Sequence, residues 1–260
     1  MQDQILRVSL AQYDILWEDK SANLAKIEKI VSSLAGETDL VVLPEMCTTG
    51  FSMNSHQLAE PVTGTTVSHL SKLAQQYDIA ICGSFIAIDK NKYFNRGFFI
   101  TSESQHYYDK RHLFRMGQEA DYFSAGEKKL IIEHKGFKIC LLVCYDLRFP
   151  VWARNVDNEY DLLIYTANWP ASRSHVWNIL LEARAIENMC YVCGVNRVGA
   201  DGNNLVHEGN SKMIDAKGET ILSIDLNLED TKTVHISKEN LNKFRTKFPA
   251  WKDADKFRIQ

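Results

Sequence analysis

Residues 138–149 read K-I-C-L-L-V-C-Y-D-L-R-F. An apolar run of this length, entered from Lys135-Gly136 and left through charged residues, reads as a strand covered on both faces, which belongs in a layered α/β sheet rather than on an exposed one. Cys140 lies within the run and Cys144 at its exit. If the strand continues to its last apolar residue, positions 140, 142 and 144 share a face and only 144 reaches the end, where α/β sheets place ligands. Cys140 is therefore expected to fill core, and Cys144 is a candidate nucleophile. A strand-end cysteine is as readily a small buried hydrophobe, so the choice rests on its partners.

Outward from this stretch the pattern repeats. Leu130-Ile131-Ile132-Glu133 pairs with it as a hairpin through Lys135-Gly136. Leu162–Tyr165 is a second buried strand, Trp177–Asn188 has helical spacing, and Cys190–Val195 returns as a strand. Upstream, Leu6–Ala11 alternates as a half-buried strand, and Ser21 is the expected N-cap of a helix through Leu24, Ile27, Ile30, Val31 and Leu34 that stops at Gly36. Leu40–Leu43 is buried on both faces, Val67–Tyr77 is helical, and Ile79–Gly83 and Phe98–Ile100 flank a turn at Asp89-Lys90-Asn91. A further hairpin joins Lys212–Asp215 to Glu219–Leu222, and from Lys238 a charged helix leads into an aromatic tail suited to packing on a neighbouring copy. Interleaved strands and helices without a Pro/Gly/Ser linker predict an α/β fold with mixed sheets, one domain over residues 1–260.

Composition narrows the classes of function. Apolar residues make up 45% and charged residues 24%, so the chain has enough core to fold unaided. Thirty Lys plus Arg against 33 Asp plus Glu give a net charge of −3, which offers no field for nucleic acid or an anionic membrane. The opening Met1-Gln2-Asp3-Gln4 carries an early acid, unlike a secretory signal. Six cysteines, mostly in apolar runs, suit a reducing compartment, so a cytoplasmic protein acting on a small molecule is expected. Cys190 and Cys193 form a C-x-x-C, but inside an apolar strand and without a second pair, so neither a zinc site nor any other metal or cofactor is expected.

A thiol of ordinary pKa, about 8.5, needs a base or a cation to act near neutrality. Histidine is the usual base, yet none of the eight histidines falls in a Cys/His signature; His106 and His112 bracket Lys110, and His134 and His175 read as turn residues. Glu45, after L-V-V-L-P, stands where a buried strand ends and could act as a base if burial raises its affinity for protons. Lys110, after Y-Y-D, could supply a cation beside a reacting carbonyl, although D-K-R-H reads equally as a solvated turn. Spacing alone does not join the three.

Resemblance does. The segments L-P-E-M, D-K-R-H-L-F and C-Y-D-L-R-F-P resemble, in order and separation, the three signatures of the nitrilase superfamily of carbon-nitrogen hydrolases. The likeness is closer to its ω-amidase branch, through E-M-C-T-T-G-F-S-M, K-R-H-L-F-R-M-G, N-W-P-A at 168–171 and the tail F-P-A-W-K-D-A-D. It implies a four-layer α-β-β-α sandwich and a homodimer. It also implies Cys144 as nucleophile, Glu45 as general base and acid, and Lys110 as the electrostatic residue, with Glu119 as a second carboxylate, for which Asp121 and Glu127 are nearby alternatives. The backbone N–H of Tyr145 would join Lys110 in holding an oxyanion, Arg148 or Arg173 would receive a substrate carboxylate, and Phe51, Asn168 and Trp169 would shape the pocket. The implied reaction is hydrolysis of the ω-amides of 2-oxo acids through a thioester. N-carbamoyl amino acid hydrolysis, attack on a nitrile, and a non-catalytic binding role on the same fold are the competing readings.

Overall fold

The computed structural model describes residues 3–259, so Met1, Gln2 and Gln260, parts of the N-terminal segment and tail considered above, lie outside the described residues. In chain order the strands are β1 (Ile5–Gln12), β2 (Leu40–Val42), β3 (Ala80–Asp89), β4 (Lys92–Ile100), β5 (Gln105–Asp109), β6 (Leu130–His134) and β7 (Phe137–Val143). There follow β8 (Leu162–Ala167), β9 (Tyr191–Asn196), β10 (Val198–Ala200), β11 (Val206–Glu208), β12 (Lys212–Ile214), β13 (Thr220–Ser223) and β14 (Asp230–Ser237). The longer helices are α1 (Lys20–Ser33), α2 (Thr65–Tyr77), α3 (Ser174–Asn188) and α4 (Lys238–Lys247).

Two six-stranded sheets form, in the orders β14-β1-β2-β3-β4-β5 and β13-β12-β9-β8-β7-β6. Each has a parallel centre, β1-β2-β3 in one and β7-β8-β9 in the other, with antiparallel strands at both flanks. Strand alternation decides which side chains meet. Leu40 and Val42 of β2 face the second sheet, together with Leu6, Val8, Leu10, Cys82 and Phe99, and pack on Ile139, Leu141 and Val143. Val41 and Leu43 point the other way, onto Ile27 and Val31 of α1 and Val67 and Leu70 of α2. Helix α3 covers the far face of the second sheet, with Trp177, Leu181 and Ala185 in its core. The expected four-layer sandwich results, each central strand losing both faces to apolar partners at about 1.5–3 kcal/mol per large side chain buried.

Several local readings need correction. Helix α1 starts earlier than expected, because Asp19, and not Ser21, caps it by accepting from the Ala22 N–H at 2.9 Å. A carboxylate two residues earlier does the same work for the exposed first-turn donors. Helix α3 begins at Ser174, so His175 is helical, and His134 closes β6 rather than sitting in the turn. Cys190 precedes β9, and only Cys193 lies in the strand, though both are buried. Three short or edge strands, β5, β10 and β11, and the long β14 carry mixed polar sequence and were not evident from periodicity. Helix α4 is anchored on its own chain: Arg245 bonds Asp161 at 2.9 Å and the carbonyls of Tyr160 and Met189, while Phe248 beyond it is 59% exposed.

The loop after Phe123 passes tightly over the end of β5. Gly126 donates its N–H to the Lys110 carbonyl at 2.9 Å, and a Cβ at this position would lie 2.0 Å from the Asp109 carbonyl oxygen. Gly126→Ala therefore forces two backbone segments apart. It is expected to lower stability by roughly 1–3 kcal/mol, read from the urea midpoint; an unchanged midpoint would mean that the loop is free to step aside.

Candidate active site

The carboxyl ends of β2, β5, β7 and β8 converge at one edge of the sandwich, and the chain bends sharply past β2 and β7 and again just before Glu119. Met46, directly after Glu45, has φ 43°, Cys144 itself has φ 44°, and Gln118, directly before Glu119, has φ 59°. Left-handed backbone at non-glycine residues costs of order 1–3 kcal/mol and persists where surrounding structure over-determines it. Here it aims side chains. The left-handed Cys144 leaves the strand and opens the short 3-10 turn Cys144–Arg148, so the expectation that 144 continues the face of 140 and 142 is replaced by a strand-to-turn elbow. Cys140 remains in β7, fully buried, its thiol pushed up to about 12 by burial.

Glu45, Lys110 and Glu119 are all fully buried and touch. The Lys110 Nζ donates to Glu45 Oε1 at 2.8 Å and to Glu119 Oε1 and Oε2 at 3.0 and 2.9 Å. Asp121 and Glu127 are exposed, so among the three neighbouring carboxylates Glu119 is the one on the lysine. Glu119 Oε2 also accepts the Phe114 N–H at 2.6 Å. Glu45 Oε2 accepts the Asn168 N–H at 2.9 Å, and the Asn168 side chain closes back on the Glu45 carbonyl. Burial works against the Lys110 ammonium, but the carboxylates of Glu119 and Glu45 outweigh it and hold the lysine above its ordinary range. Glu119 is pushed up by burial, pulled back by Lys110 and pushed up again by Glu45. Burial first, then the Glu45 carboxylate, raise the Cys144 thiol well above its usual value, against the opposing pull of Lys110.

The Cys144 and Lys110 segments are joined by a residue that the sequence reading did not single out. Asp146, fully buried, accepts from the Val143 N–H at 3.1 Å, the Tyr108 hydroxyl at 2.7 Å and the His112 N–H at 3.0 Å. It also meets His112 Nδ1 at 2.8 Å, and that imidazole stacks on Phe149 at 3.7 Å. His112 thus serves the scaffold and stands apart from the thiol. Asn95 of β4 was missed as well; its amide lies 2.7 Å from Glu45 and 3.0 Å from Glu119. The available signal was a neutral polar residue inside K-Y-F-N-R-G-F-F-I, and for Asp146 a carboxylate two residues past Cys144.

A pocket opens over Cys144 and Lys110. Phe51, Phe114, Tyr145 and Trp169 line it, with Arg148 and Arg173, and Asp201 from the turn after β10 and His207 from β11 complete the lining. Phe51 lies 5.3 Å from Lys110 Nζ and packs on Phe114. The Arg148 guanidinium lies 5.3 Å over Trp169 and that of Arg173 5.1 Å over Phe114. Neither guanidinium has a hydrogen-bond or ion-pair partner among the described residues, in contrast to Arg96, Arg184 and Arg245. His207, which burial and the nearby Arg197 hold down at about 4, is neutral near pH 7. No cluster of three or more His, Cys, Asp or Glu side chains placed to hold a metal ion occurs among the described residues. Cys190 and Cys193 are buried with thiols raised by burial.

Comparison with known proteins places this geometry in a family. Residues 7–246 match the carbon-nitrogen hydrolase family. Over 98% of its length and 98% of the relative's, the chain is 43% identical to the omega-amidase YafV of Escherichia coli strain K12. It is 35% identical to a 2-oxoglutaramate amidase of Bacillus subtilis strain 168, over 82% of this chain and 84% of the relative. Among solved structures, XC1258 of Xanthomonas campestris, a CN-hydrolase superfamily protein with an arsenic adduct in its active site, superposes with a TM-score of 0.96 and 41% identity over the full length of both chains. A family match that spans nearly the whole fold, together with relatives this similar, makes the chain a member of the carbon-nitrogen hydrolase family, within the nitrilase superfamily, and a hydrolase of carbon-nitrogen bonds.

Proposed function

We propose that this hydrolase is an ω-amidase, cleaving the terminal amide of small 2-oxo acids such as 2-oxoglutaramate and 2-oxosuccinamate to the dicarboxylate and ammonia. The observation that carries the substrate class is the pair of guanidiniums, Arg148 and Arg173, held on aromatic faces in the pocket with their N–H groups unspent. An anionic carboxylate satisfies such a fork better than a neutral group does. The names of the two amidase relatives support the same reading.

The chemistry follows from the cluster. Cys144 attacks the amide carbon, a C–S bond forms, and the thiol proton passes to Glu45. As the tetrahedral intermediate collapses, the C–N bond breaks and Glu45 returns that proton to the leaving nitrogen, which departs as ammonia. Water then gives a proton to Glu45 while its oxygen attacks the thioester; the C–S bond breaks, the thiol is re-protonated and the acid leaves. The oxyanion of each tetrahedral state faces Lys110 and the Tyr145 N–H, which opens a helical turn where intrahelical acceptors are lacking. In the free protein all three Lys110 protons rest on carboxylates. Its contribution there is a fixed positive charge, re-aimed when an oxyanion forms. Glu119 keeps that charge in place.

The reading extends to the setting of the enzyme. Six free cysteines, all buried, suit a reducing cytoplasm. The exposed Phe248, Phe257 and Ile259 of the tail suit a homodimer contact; sedimentation is expected to give a dimer, and truncation after Lys247 to weaken it.

Three outcomes test the chemistry. Cys144→Ala is expected to abolish ammonia release from 2-oxoglutaramate, and more than trace turnover would dismiss Cys144 as nucleophile. Because the folded thiol sits above its ordinary pKa, it should be protonated at pH 7. Thiolate absorbance at 240 nm, taken as the difference from Cys144→Ala, should appear only above the usual range of about pH 8.5; a thiolate signal at pH 7 would contradict this. Arg148→Met and Arg173→Met are expected to raise KM for 2-oxoglutaramate roughly tenfold or more in at least one case, with little effect on an uncharged amide of similar size. A panel that includes N-carbamoyl amino acids and nitriles decides the competing substrates by relative kcat/KM.

A further inference from the structure

Beneath the triad runs a chain of neutral hydrogen-bonding groups whose direction can be worked out atom by atom. The Met46 N–H, directly after Glu45, donates to Ser84 Oγ at 2.7 Å. That leaves the Ser84 hydroxyl proton for Asn95 Oδ1, at 2.9 Å. Asn95 Nδ2 then has both protons for carboxylates: Glu45 Oε1 at 2.7 Å and Glu119 Oε1 at 3.0 Å. The opposite orientation of the amide would set its carbonyl oxygen against two carboxylate oxygens, so the network admits one orientation. Ser84 and Asn95 are both fully buried.

The consequence falls on Glu45. Its Oε1 receives Lys110 and Asn95, which fills both lone pairs. Its Oε2 receives one donor, the Asn168 N–H, and keeps one lone pair open. The two oxygens of one carboxylate are thereby made unequal. Asn95 also bridges Glu45 to Glu119, two carboxylates that would otherwise share a single lysine and repel each other. The titratable and charged groups facing this cluster are Glu45, Glu119, Lys110 and Cys144.

We propose that Asn95, oriented by Ser84, is the positioning residue that ties Glu45 and Glu119 together on Lys110 and leaves Glu45 Oε2 as the oxygen that exchanges the proton with Cys144. This role rests on the reading of Glu45 as the base in the amidase reaction. Asn95 takes no part in bond making; it selects which oxygen acts and holds the two carboxylates together.

The sign of the effect follows. Donors to a carboxylate favour its charged form, so their removal lets a proton bind at higher pH and moves the acid limb of the kcat/KM profile upward. Asn95→Ala is expected to move that limb up by about one pH unit and to lower kcat at least tenfold, with KM within about threefold, as for a hydrogen bond to a charged group. Ser84→Ala, which keeps the amide but frees its orientation, should move the limb the same way by less, and it carries the test if Asn95→Ala yields no folded protein. Ser9→Ala, which removes a buried hydroxyl pair with Thr233 at 2.7 Å far from the cluster, should lower stability without moving the limb. The pH dependence of Cys144 alkylation by iodoacetamide, read by mass spectrometry, gives the same comparison without substrate.

The outcomes separate the two ideas. If Glu45→Gln is inactive but the acid limb and the alkylation profile of the Ser84 and Asn95 variants match those of the parent, the positioning role fails and the amidase reading stands. If Glu45→Gln turns over normally, Glu45 is not the base and both fail. A shift in the Asn95 and Ser84 variants, absent in Ser9→Ala, supports the proposal.

Discussion

An ammonium buried between two carboxylates is the interaction on which the rest of this structure depends. Taking three ionised groups out of water is costly, and the cost is recovered only if geometry and supporting hydrogen bonds are close to ideal. The protein meets that condition from four directions. Lys110 arrives on the end of β5, Glu45 past β2, Glu119 from a turn after Gln118, and Asn95 from β4 between them. Backbone N–H groups of Phe114 and Asn168 occupy two of the remaining carboxylate lone pairs. A cluster held this tightly does not reorganise cheaply, which suits the proposed role of presenting charge and one open oxygen to the Cys144 thiol.

The same cluster accounts for the strained backbone around it. Met46, Gln118 and Cys144 adopt left-handed conformations at the points where strands or loops must turn abruptly to bring their side chains to one place. Asp146 holds the Cys144 elbow by accepting from Val143 of β7, Tyr108 of β5 and two groups of His112, so Cys144 and Lys110 cannot drift independently. Strain at the site is offset by a sandwich in which both faces of the central strands are buried. The pocket above keeps its polarity for a ligand: two guanidiniums rest on aromatic rings, and a neutral, buried His207 lines it with Asp201.

Much of the fold was legible because its central strands are continuous apolar runs and its helices repeat at their own period. Leu40–Leu43 and Ile139–Val143 could be read as fully buried, and Leu24, Ile27 and Val31 as one helix face. Strands β5, β10 and β11 and the long β14 were not legible, since edge strands keep polar residues on at least one side and carry no run to recognise. The cap of α1 was misplaced by two residues for a similar reason: Asp19 and Ser21 are both good caps, and only the position of the first turn chooses between them.

Residue types and their order determined by themselves that the chain is a layered α/β protein, because buried strands are local patterns, and offered Glu45, Lys110 and Cys144 at strand ends as candidates; only the resemblance to three family signatures joined them. Tertiary structure alone decided what those residues do to each other. Glu45 lies 65 residues from Lys110 and meets it only where two sheets end together, while Glu119 is nine residues away; Asp121, two residues beyond Glu119, and Glu127 face solvent instead. Asn95 and Asp146 look like ordinary polar residues until their partners are in place. A hydrogen bond has a direction and an acceptor has a fixed number of lone pairs, and these are properties of positions in space that no linear spacing carries.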